Sequence, residues 1–141
     1  MIVATKHIAA RVGNLDATNA FVEQCADRFG LDAKKRFGLQ LVLEEAFVNI
    51  CNHAYPQGEG NAEISCRNDG DAFVLEIVDQ GQPFDVLSLP DPDLTLDVME
   101  REIGGLGIHF IRTLSDSVSY RRENGRNILR MEFRRSPDYG S

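Results

Sequence analysis

The dipeptide Asn124-Gly125 constrains the fold of this chain more than any other short feature. It separates the segments SVSYRRE and RNILRMEF, in which apolar and polar residues alternate. Asn-Gly is the strongest short signal for a two-residue hairpin turn, because both of its residues readily adopt a positive φ. The sequence therefore predicts an antiparallel β-hairpin over these segments.

A second region shows the same period of two on both sides of the turn sequence Asn68-Asp69-Gly70-Asp71. The alternating apolar positions are Ile64, Cys66, Phe73, Leu75 and Ile77. This pattern predicts a second hairpin. A further strand is expected over about residues 2–12, which mix β-branched and short residues.

Helical periodicity marks the segment that follows this first strand. Asn14 or Asp16 can cap a helix that runs to Phe29, where a glycine follows. Asp32 can cap a second helix of about 20 residues, which reaches Ala54 before the sequence YPQGEG ends it.

The segment between the two hairpins contains a polar, proline-rich stretch and then a third helix. The stretch covers residues 80–103, with a short helical patch near Leu94–Arg101, and the helix begins at Gly105–Gly107 and runs through Leu114. The resulting order is β-α-α-β-β-loop-α-β-β. It predicts an α+β fold, a two-layer α/β sandwich whose mainly antiparallel mixed sheet is covered by helices on one face.

Charge and cysteine content narrow the functional classes. With 22 acidic and 15 basic residues, the formal net charge is −7, whereas non-specific nucleic-acid binding needs a basic face. A nucleotide ligand remains compatible, because backbone amides and a metal ion can hold phosphates. The three cysteines lack zinc or disulfide spacing, and no stretch approaches the roughly 20 apolar residues of a membrane helix. We therefore expect a cytoplasmic protein that contacts neither nucleic acid nor membrane.

The second predicted helix carries three polar residues on one stripe. Glu45, Asn49 and His53 are spaced at i, i+4 and i+8, so they lie above one another on the helix surface. A carboxylate, an amide and an imidazole placed beside an apolar stripe form a candidate site. The spacing alone is equally typical of a solvated polar face. Glu44 lies about 100° away around the helix from Glu45 and is therefore off this stripe.

Two further segments are candidates for binding a ligand: the end of a predicted strand and the start of the third predicted helix. Asp79 ends an apolar strand and is followed by Gly81, so it is either a turn former or a carboxylate that accepts a hydrogen bond from a ligand amine. Gly104, Gly105 and Gly107 open the third helix, where bare amides and the helix dipole suit an anion. Close helix packing explains the same glycines. The spacing fits neither a P-loop nor a dinucleotide-binding fingerprint.

In this order the three features resemble the Bergerat-type ATP-binding domain shared by gyrase, the Hsp90 chaperones, histidine kinases and MutL (the GHKL superfamily). The motif Glu45-Ala46-x-x-Asn49-x-x-x-His53-Ala54-Tyr55 resembles that of the small anti-sigma factor serine kinases of the RsbW and SpoIIAB type. The segments DQGQPFD and GGLGIHFI also resemble that family. The similarity covers about residues 5–134, which implies one histidine-kinase-like ATPase domain over residues 1–141.

The resemblance implies ATP and Mg²⁺ as cofactors, and it implies roles for individual residues. Asn49 would coordinate the Mg²⁺, and Glu45 would be the general base for an attacking serine hydroxyl. Asp79 would accept the adenine amino group, and Gly81 would let the base lie against the strand end. The other implied nucleotide-binding residues are Asn52, His53, Pro83, Phe84, Gly104, Gly105, Leu106, Gly107, Ile108 and Asn127.

The chain departs from the superfamily pattern at two places. Gly125-Arg126-Asn127 stands where the superfamily often has a glycine and then a threonine that supports the adenine-binding aspartate. Either the Asn127 side chain replaces that hydroxyl or the contact is missing. The segment between Phe84 and Ile103 is either a lid over the nucleotide or a solvated connector.

The implied function is an ATP-dependent serine kinase that acts as a homodimer. It would phosphorylate an anti-anti-sigma (STAS-type) protein and sequester a sigma factor. A non-catalytic, ATP-gated interaction module of the same fold is the alternative, and retention of Glu45 argues against it. A histidine-kinase catalytic domain is disfavoured, because phospho-acceptor helices and a sensor segment are missing from this sequence.

Overall fold

The structure, a computed structural model, describes residues 3–56, 58–85 and 111–135. Within these ranges the chain forms two long helices and five strands. In chain order they are β1 (Val3–Ala9), α1 (Leu15–Phe29), α2 (Ala33–His53), β2 (Asn61–Asp69), β3 (Ala72–Asp79), β4 (Ser117–Glu123) and β5 (Arg126–Arg134). A short 3₁₀ helix (Val12–Asn14) precedes α1, and residues 111–114 are helical.

The five strands form one sheet in the order β1-β2-β3-β5-β4. Every pairing among these strands is antiparallel. Both predicted hairpins are confirmed, as β2–β3 and β4–β5. Their turns use left-handed backbone, with φ of 63° at Gly70, 54° at Asn124 and 76° at Gly125. The sheet and its helices confirm the predicted α+β class.

The core lies between the two long helices and one face of the sheet. Alternate residues of a strand point to the same face, and the largest fully buried side chains of β2, β3 and β5 follow that rule. The largest fully buried side chains of these strands and of α2 are Leu39, Leu43, Phe47, Ile64, Phe73, Leu75, Ile77, Met131 and Phe133. This packing holds α2 directly over the middle of the sheet.

The predicted bounds of α1 and α2 are confirmed. Gly30 ends α1 in the left-handed conformation, with φ of 82°, and its N–H donates to the carbonyl oxygen of Ala26 at 3.0 Å. Asp32 immediately precedes α2. Among the described residues, no helix has the length and apolar character needed to cross a bilayer.

The first strand is shorter than predicted. It ends at Ala9 rather than near residue 12, because its partner strand begins at Asn61 and Ala9 pairs with that residue. The Ala10 N–H still donates to the Gly60 carbonyl oxygen at 2.9 Å, and the chain then turns into the 3₁₀ helix. Val12 is consequently 56% exposed. The helical patch predicted near Leu94–Arg101 and the start of the third helix lie outside the described residues.

Asp116 joins the start of α2 to the edge of the sheet. Lys35 Nζ donates to both of its carboxylate oxygens, at 2.9 and 2.7 Å, and the Arg134 N–H donates to Oδ2 at 2.7 Å. Burial alone would raise the pKa of Asp116, but these hydrogen bonds and the charges of Lys35 and Arg134 outweigh it. The pKa therefore lies below its usual value of 3.8.

We expect Asp116→Asn to destabilise the fold by about 1 kcal/mol at pH 7, because the variant loses the ion pair. Because the pKa is lowered, the carboxylate stabilises the fold fully at pH values above its usual pKa of 3.8. This stabilisation is lost as the pH falls through the lowered pKa of the folded chain. Urea unfolding at pH 7 and at low pH should show a gap between the two proteins that closes in acid. Glu59→Gln, which breaks the more exposed Arg11–Glu59 pair, is the control and should change little.

Candidate functional site

A cleft opens between α2 and the ends of β3 and β5. Its empty volume is about 420 Å³, with the solvent at its mouth included. Its walls are largely apolar, with a few convergent polar groups. They comprise Ala46, Asn49, Ile50, Ala54, Ile77, Asp79, Phe84, Tyr120, Asn127 and Leu129.

Asp79 provides a carboxylate at the floor of this cleft. The residue is only 6% exposed. Its Oδ1 accepts hydrogen bonds from the Gly81 N–H and from Asn127 Nδ2, both at 2.9 Å. Within the described ranges, no hydrogen bond is made by Oδ2. One oxygen is therefore held by the described residues, while the other has no partner among them.

Asn127 supports Asp79, so the contact left open by the sequence is present. Strand register places the two residues opposite each other, on β5 and β3. Asn127 Nδ2 also donates to the carbonyl oxygen of Gln82 at 2.8 Å, and its Oδ1 accepts from Tyr120 Oη at 2.5 Å and from the Phe84 N–H at 3.3 Å. The amide thus joins the strand end to the following loop.

Gly81 is required for packing against α2. A Cβ at this position would lie 2.2 Å from the carbonyl oxygen of Ala54. That carbonyl accepts a hydrogen bond from the Gln82 N–H at 2.8 Å. The sequence predicted a close approach of the backbone at this glycine, and in the structure the end of α2 makes that approach.

A hydrogen bond and a ring stack hold the loop after β3 against the end of α2. Gln82 Nε2 donates to the carbonyl oxygen of His53 at 2.7 Å, and the rings of His53 and Phe84 stack with centroids 5.1 Å apart. Arg122 Nη1 donates to the Gly81 carbonyl oxygen at 2.7 Å. Pro83 is exposed within this loop. These contacts hold Phe84 at the rim of the cleft.

The polar stripe of α2 is only partly in the cleft. Asn49 is half-buried and lines it, with no hydrogen bond to any described residue. Glu45 lies one turn earlier, half-buried, outside the lining. Asn52 and His53 are exposed and do not line the cleft. Of the three residues on the stripe, the structure brings Asn49 alone together with Asp79.

The carboxyl group of Glu45 has a perturbed protonation equilibrium. Burial raises its pKa above the usual value of 4.5, and the neighbouring charge of Glu44 raises it further. A raised pKa makes the carboxylate a stronger proton acceptor, which suits a general base. Glu44 is exposed.

The glycine-rich segment cannot be placed against this cleft. Gly104, Gly105, Leu106, Gly107 and Ile108 lie outside the described residues, as does most of the proposed lid segment. Conversely, sequence reasoning missed Tyr120, whose ring lines the cleft. The signal available for it was the Asn124-Gly125 turn, which pairs Tyr120 with Leu129 and puts its side chain on the same face as Asn127.

Comparison with known proteins identifies a family and individual relatives of this chain. Residues 8–133 match the family described as the histidine kinase-like ATPase domain. The serine/threonine-protein kinase BtrW of Bordetella bronchiseptica is 30% identical over 125 residues, which cover 86% of this chain and 88% of that protein. The serine-protein kinase RsbW of Halalkalibacterium halodurans is 31% identical over 116 residues, which cover 79% of this chain and 71% of that protein.

A solved structure shares the fold. The crystal structure of the RsbU and RsbW domains of a Mycobacterium tuberculosis protein superposes with a TM-score of 0.69 at 13% sequence identity. The match covers 100% of this chain but only 35% of that longer one, so the likeness concerns the fold alone. The matched family and the two kinase relatives lead to one assignment: this chain belongs to the histidine kinase-like ATPase family, among serine-protein kinases of the RsbW type.

Proposed function

We propose that this chain binds ATP in the cleft between α2 and the sheet, and transfers its terminal phosphoryl group to a serine of a partner protein. The observation that carries the proposal is the buried Asp79 carboxylate, which Asn127 holds at the floor of that cleft. Family membership and the two kinase relatives support the same activity.

The adenine end of the proposed site uses Asp79. An adenine amino group is a hydrogen-bond donor, and the Oδ2 of Asp79 is an acceptor without a described protein partner. The apolar walls formed by Ile50, Ile77 and Leu129 suit the faces of a flat aromatic base. The cleft can therefore recognise both the shape of a purine and its amino edge.

The phosphate end of the proposed site uses Asn49. Its half-buried side chain lines the cleft without a hydrogen bond to the described residues, so its amide oxygen is available as a ligand for Mg²⁺. Magnesium prefers oxygen ligands and is commonly held by one or two protein groups, waters and substrate phosphates, so this residue fits it. When bound, the ion would neutralise phosphate charge. Gly104, Gly105 and Gly107 are proposed to cover the phosphates.

Glu45 is the proposed general base. It lies one helical turn from Asn49 on the same stripe, which places it beside the phosphate end rather than the adenine end. Its raised pKa favours uptake of the serine proton during transfer. Phosphoryl transfer otherwise asks the protein chiefly for positioning and electrostatic stabilisation.

The proposed partners follow from the RsbW-type relatives. We propose that the phosphorylated protein is an anti-anti-sigma protein of the STAS type, and that the kinase sequesters a sigma factor when that partner is phosphorylated. The proposal includes a homodimer that acts in the cytoplasm as a single domain over residues 1–141. The family match over residues 8–133 supports the single domain.

The test is transfer of labelled phosphate. The full chain, γ-labelled ATP and Mg²⁺ are incubated with a candidate STAS protein, with and without a chelator. We expect label on a serine of the partner and its loss with the chelator. Stable binding of ATP and of the partner without any transfer would contradict the kinase and would favour an ATP-gated interaction module.

A further inference from the structure

The Tyr120 hydroxyl contacts the Asn127 side chain in the wall of the proposed nucleotide site. Tyr120 lies on β4, and its side chain projects from the same sheet face as Asn127 of the neighbouring strand. Its hydroxyl donates to Asn127 Oδ1 at 2.5 Å, at the short end of the range for O–H···O hydrogen bonds. The ring of Tyr120 lines the cleft together with Asp79.

The partners of Asn127 determine how its amide group is oriented. The Phe84 N–H can only donate, so the atom that it contacts must be the amide oxygen. The Asp79 carboxylate and the Gln82 carbonyl can only accept, so they must face the amide nitrogen. With the Tyr120 hydroxyl as second donor, the amide uses two donors and two acceptors, which is its full capacity.

The two ends of this network differ in strength. The Phe84 N–H lies 3.3 Å from Oδ1, whereas the Tyr120 hydroxyl lies at 2.5 Å. Tyr120 is therefore the main restraint on the oxygen side. If the amide rotated, its oxygen would face the Oδ1 of Asp79, and two acceptors would repel each other at the floor of the cleft.

We propose that Tyr120 is a positioning residue that fixes Asn127, and through it Asp79, so that the cleft distinguishes an amino from an oxo group on a bound purine. The inference rests on the proposed ATP site and deepens it. Asp79 can accept from the amino group of adenine, but it meets an oxygen at the same place in hypoxanthine. The discrimination depends on how firmly the carboxylate is held, and Tyr120 supplies part of that restraint.

The experiment measures the affinities of ATP and ITP, each with Mg²⁺, for the wild-type chain and for Tyr120→Phe. The variant keeps the ring and removes the hydroxyl. We expect the wild type to prefer ATP and the variant to lose about fivefold in ATP affinity, as one hydrogen bond predicts. ITP affinity should change little, so the ATP-to-ITP preference narrows by the same factor. An unchanged preference in the variant would overturn the inference.

Two further variants separate positioning from stability. Tyr55→Phe also removes a tyrosine hydroxyl, which donates to the Asn61 carbonyl oxygen and accepts from the Gln80 N–H, so it should lower the melting temperature but keep the ATP-to-ITP preference. An equal narrowing in Tyr55→Phe would contradict a specific role for Tyr120. In an Asn127→Ala background, Tyr120→Phe should have no further effect on the preference, since its action passes through Asn127. A full additional effect would contradict that route.

Failure of this inference can be distinguished from failure of the proposed function. If wild-type protein binds neither nucleotide, the ATP site itself is wrong. If wild-type protein prefers ATP and Tyr120→Phe prefers it equally, the ATP site stands and the role of Tyr120 is wrong.

Discussion

Glu45→Gln is expected to reduce the rate of phosphoryl transfer to the partner serine by about 10²- to 10⁴-fold, the usual contribution of a general base. ATP affinity should remain within about twofold, because Glu45 does not line the cleft that holds Asp79. The measurements are single-turnover transfer of labelled phosphate and calorimetric titration with ATP. Glu44→Gln is the matched control, because Glu44 is the exposed neighbour. Equal losses in both variants, or full activity of Glu45→Gln, would contradict the assignment.

The same substitution has a predicted effect on stability, with a defined sign. Burial raises the pKa of Glu45 above its usual value of 4.5, so the charged form is disfavoured in the folded chain. The wild type therefore loses stability as the pH rises from that usual value through the raised one. Glu45→Gln should unfold at a higher denaturant concentration than the wild type at pH 7, and the difference should vanish in acid. An inactive variant that is more stable separates a catalytic defect from a folding defect.

Asp79→Asn is expected to weaken ATP binding by about 10- to 100-fold, the effect of losing a hydrogen bond to a charged group. An asparagine oxygen can still accept from Asn127 and Gly81 at the position of Oδ1. Its NH₂ then replaces Oδ2 and faces the adenine amino group, so two donors oppose each other. The variant therefore keeps the hydrogen bonds from Asn127 and Gly81, whereas the adenine amino group loses its acceptor.

Calorimetry with ATP and thermal unfolding without it distinguish these two consequences. Asp71→Asn, an exposed aspartate at the other end of β3, is the control and should bind ATP as the wild type does. Unchanged affinity in Asp79→Asn would exclude the adenine role. If Asp79→Asn were unfolded, Asp79 would instead be a residue required mainly for the stability of the fold.

The helices and hairpins could be predicted from short stretches of sequence, because turn residues and hydrophobic periodicity within those stretches determine them. The Asn124-Gly125 turn fixes the register of β4 against β5, and the Gly70 turn does the same for β2 and β3. The pairing of β3 with β5 is different, since it joins Asp79 and Asn127 across 48 positions of sequence. No periodicity encodes that neighbour relation. The placement of both residues in one site came only from the family resemblance, which left open whether Asn127 supports Asp79.

The end of α2 shows where helix periodicity stops being sufficient. The spacing correctly placed Glu45, Asn49 and His53 on one stripe, but a stripe of this length extends beyond the cleft. His53 lies at the last turn, where Phe84 of the following loop stacks on it. The contact of Gly81 with Ala54 has the same origin. Both depend on a loop conformation that local sequence does not specify.

The most direct test of the ATP site is a crystal structure of the full chain with Mg²⁺ and a non-hydrolysable ATP analogue. We predict the adenine amino nitrogen within about 3 Å of the Asp79 carboxylate, with Asn127 still on the opposite oxygen and Asn49 facing the triphosphate. A nucleotide bound elsewhere, or an adenine turned away from Asp79 in an otherwise filled cleft, would contradict the site and the kinase mechanism built on it.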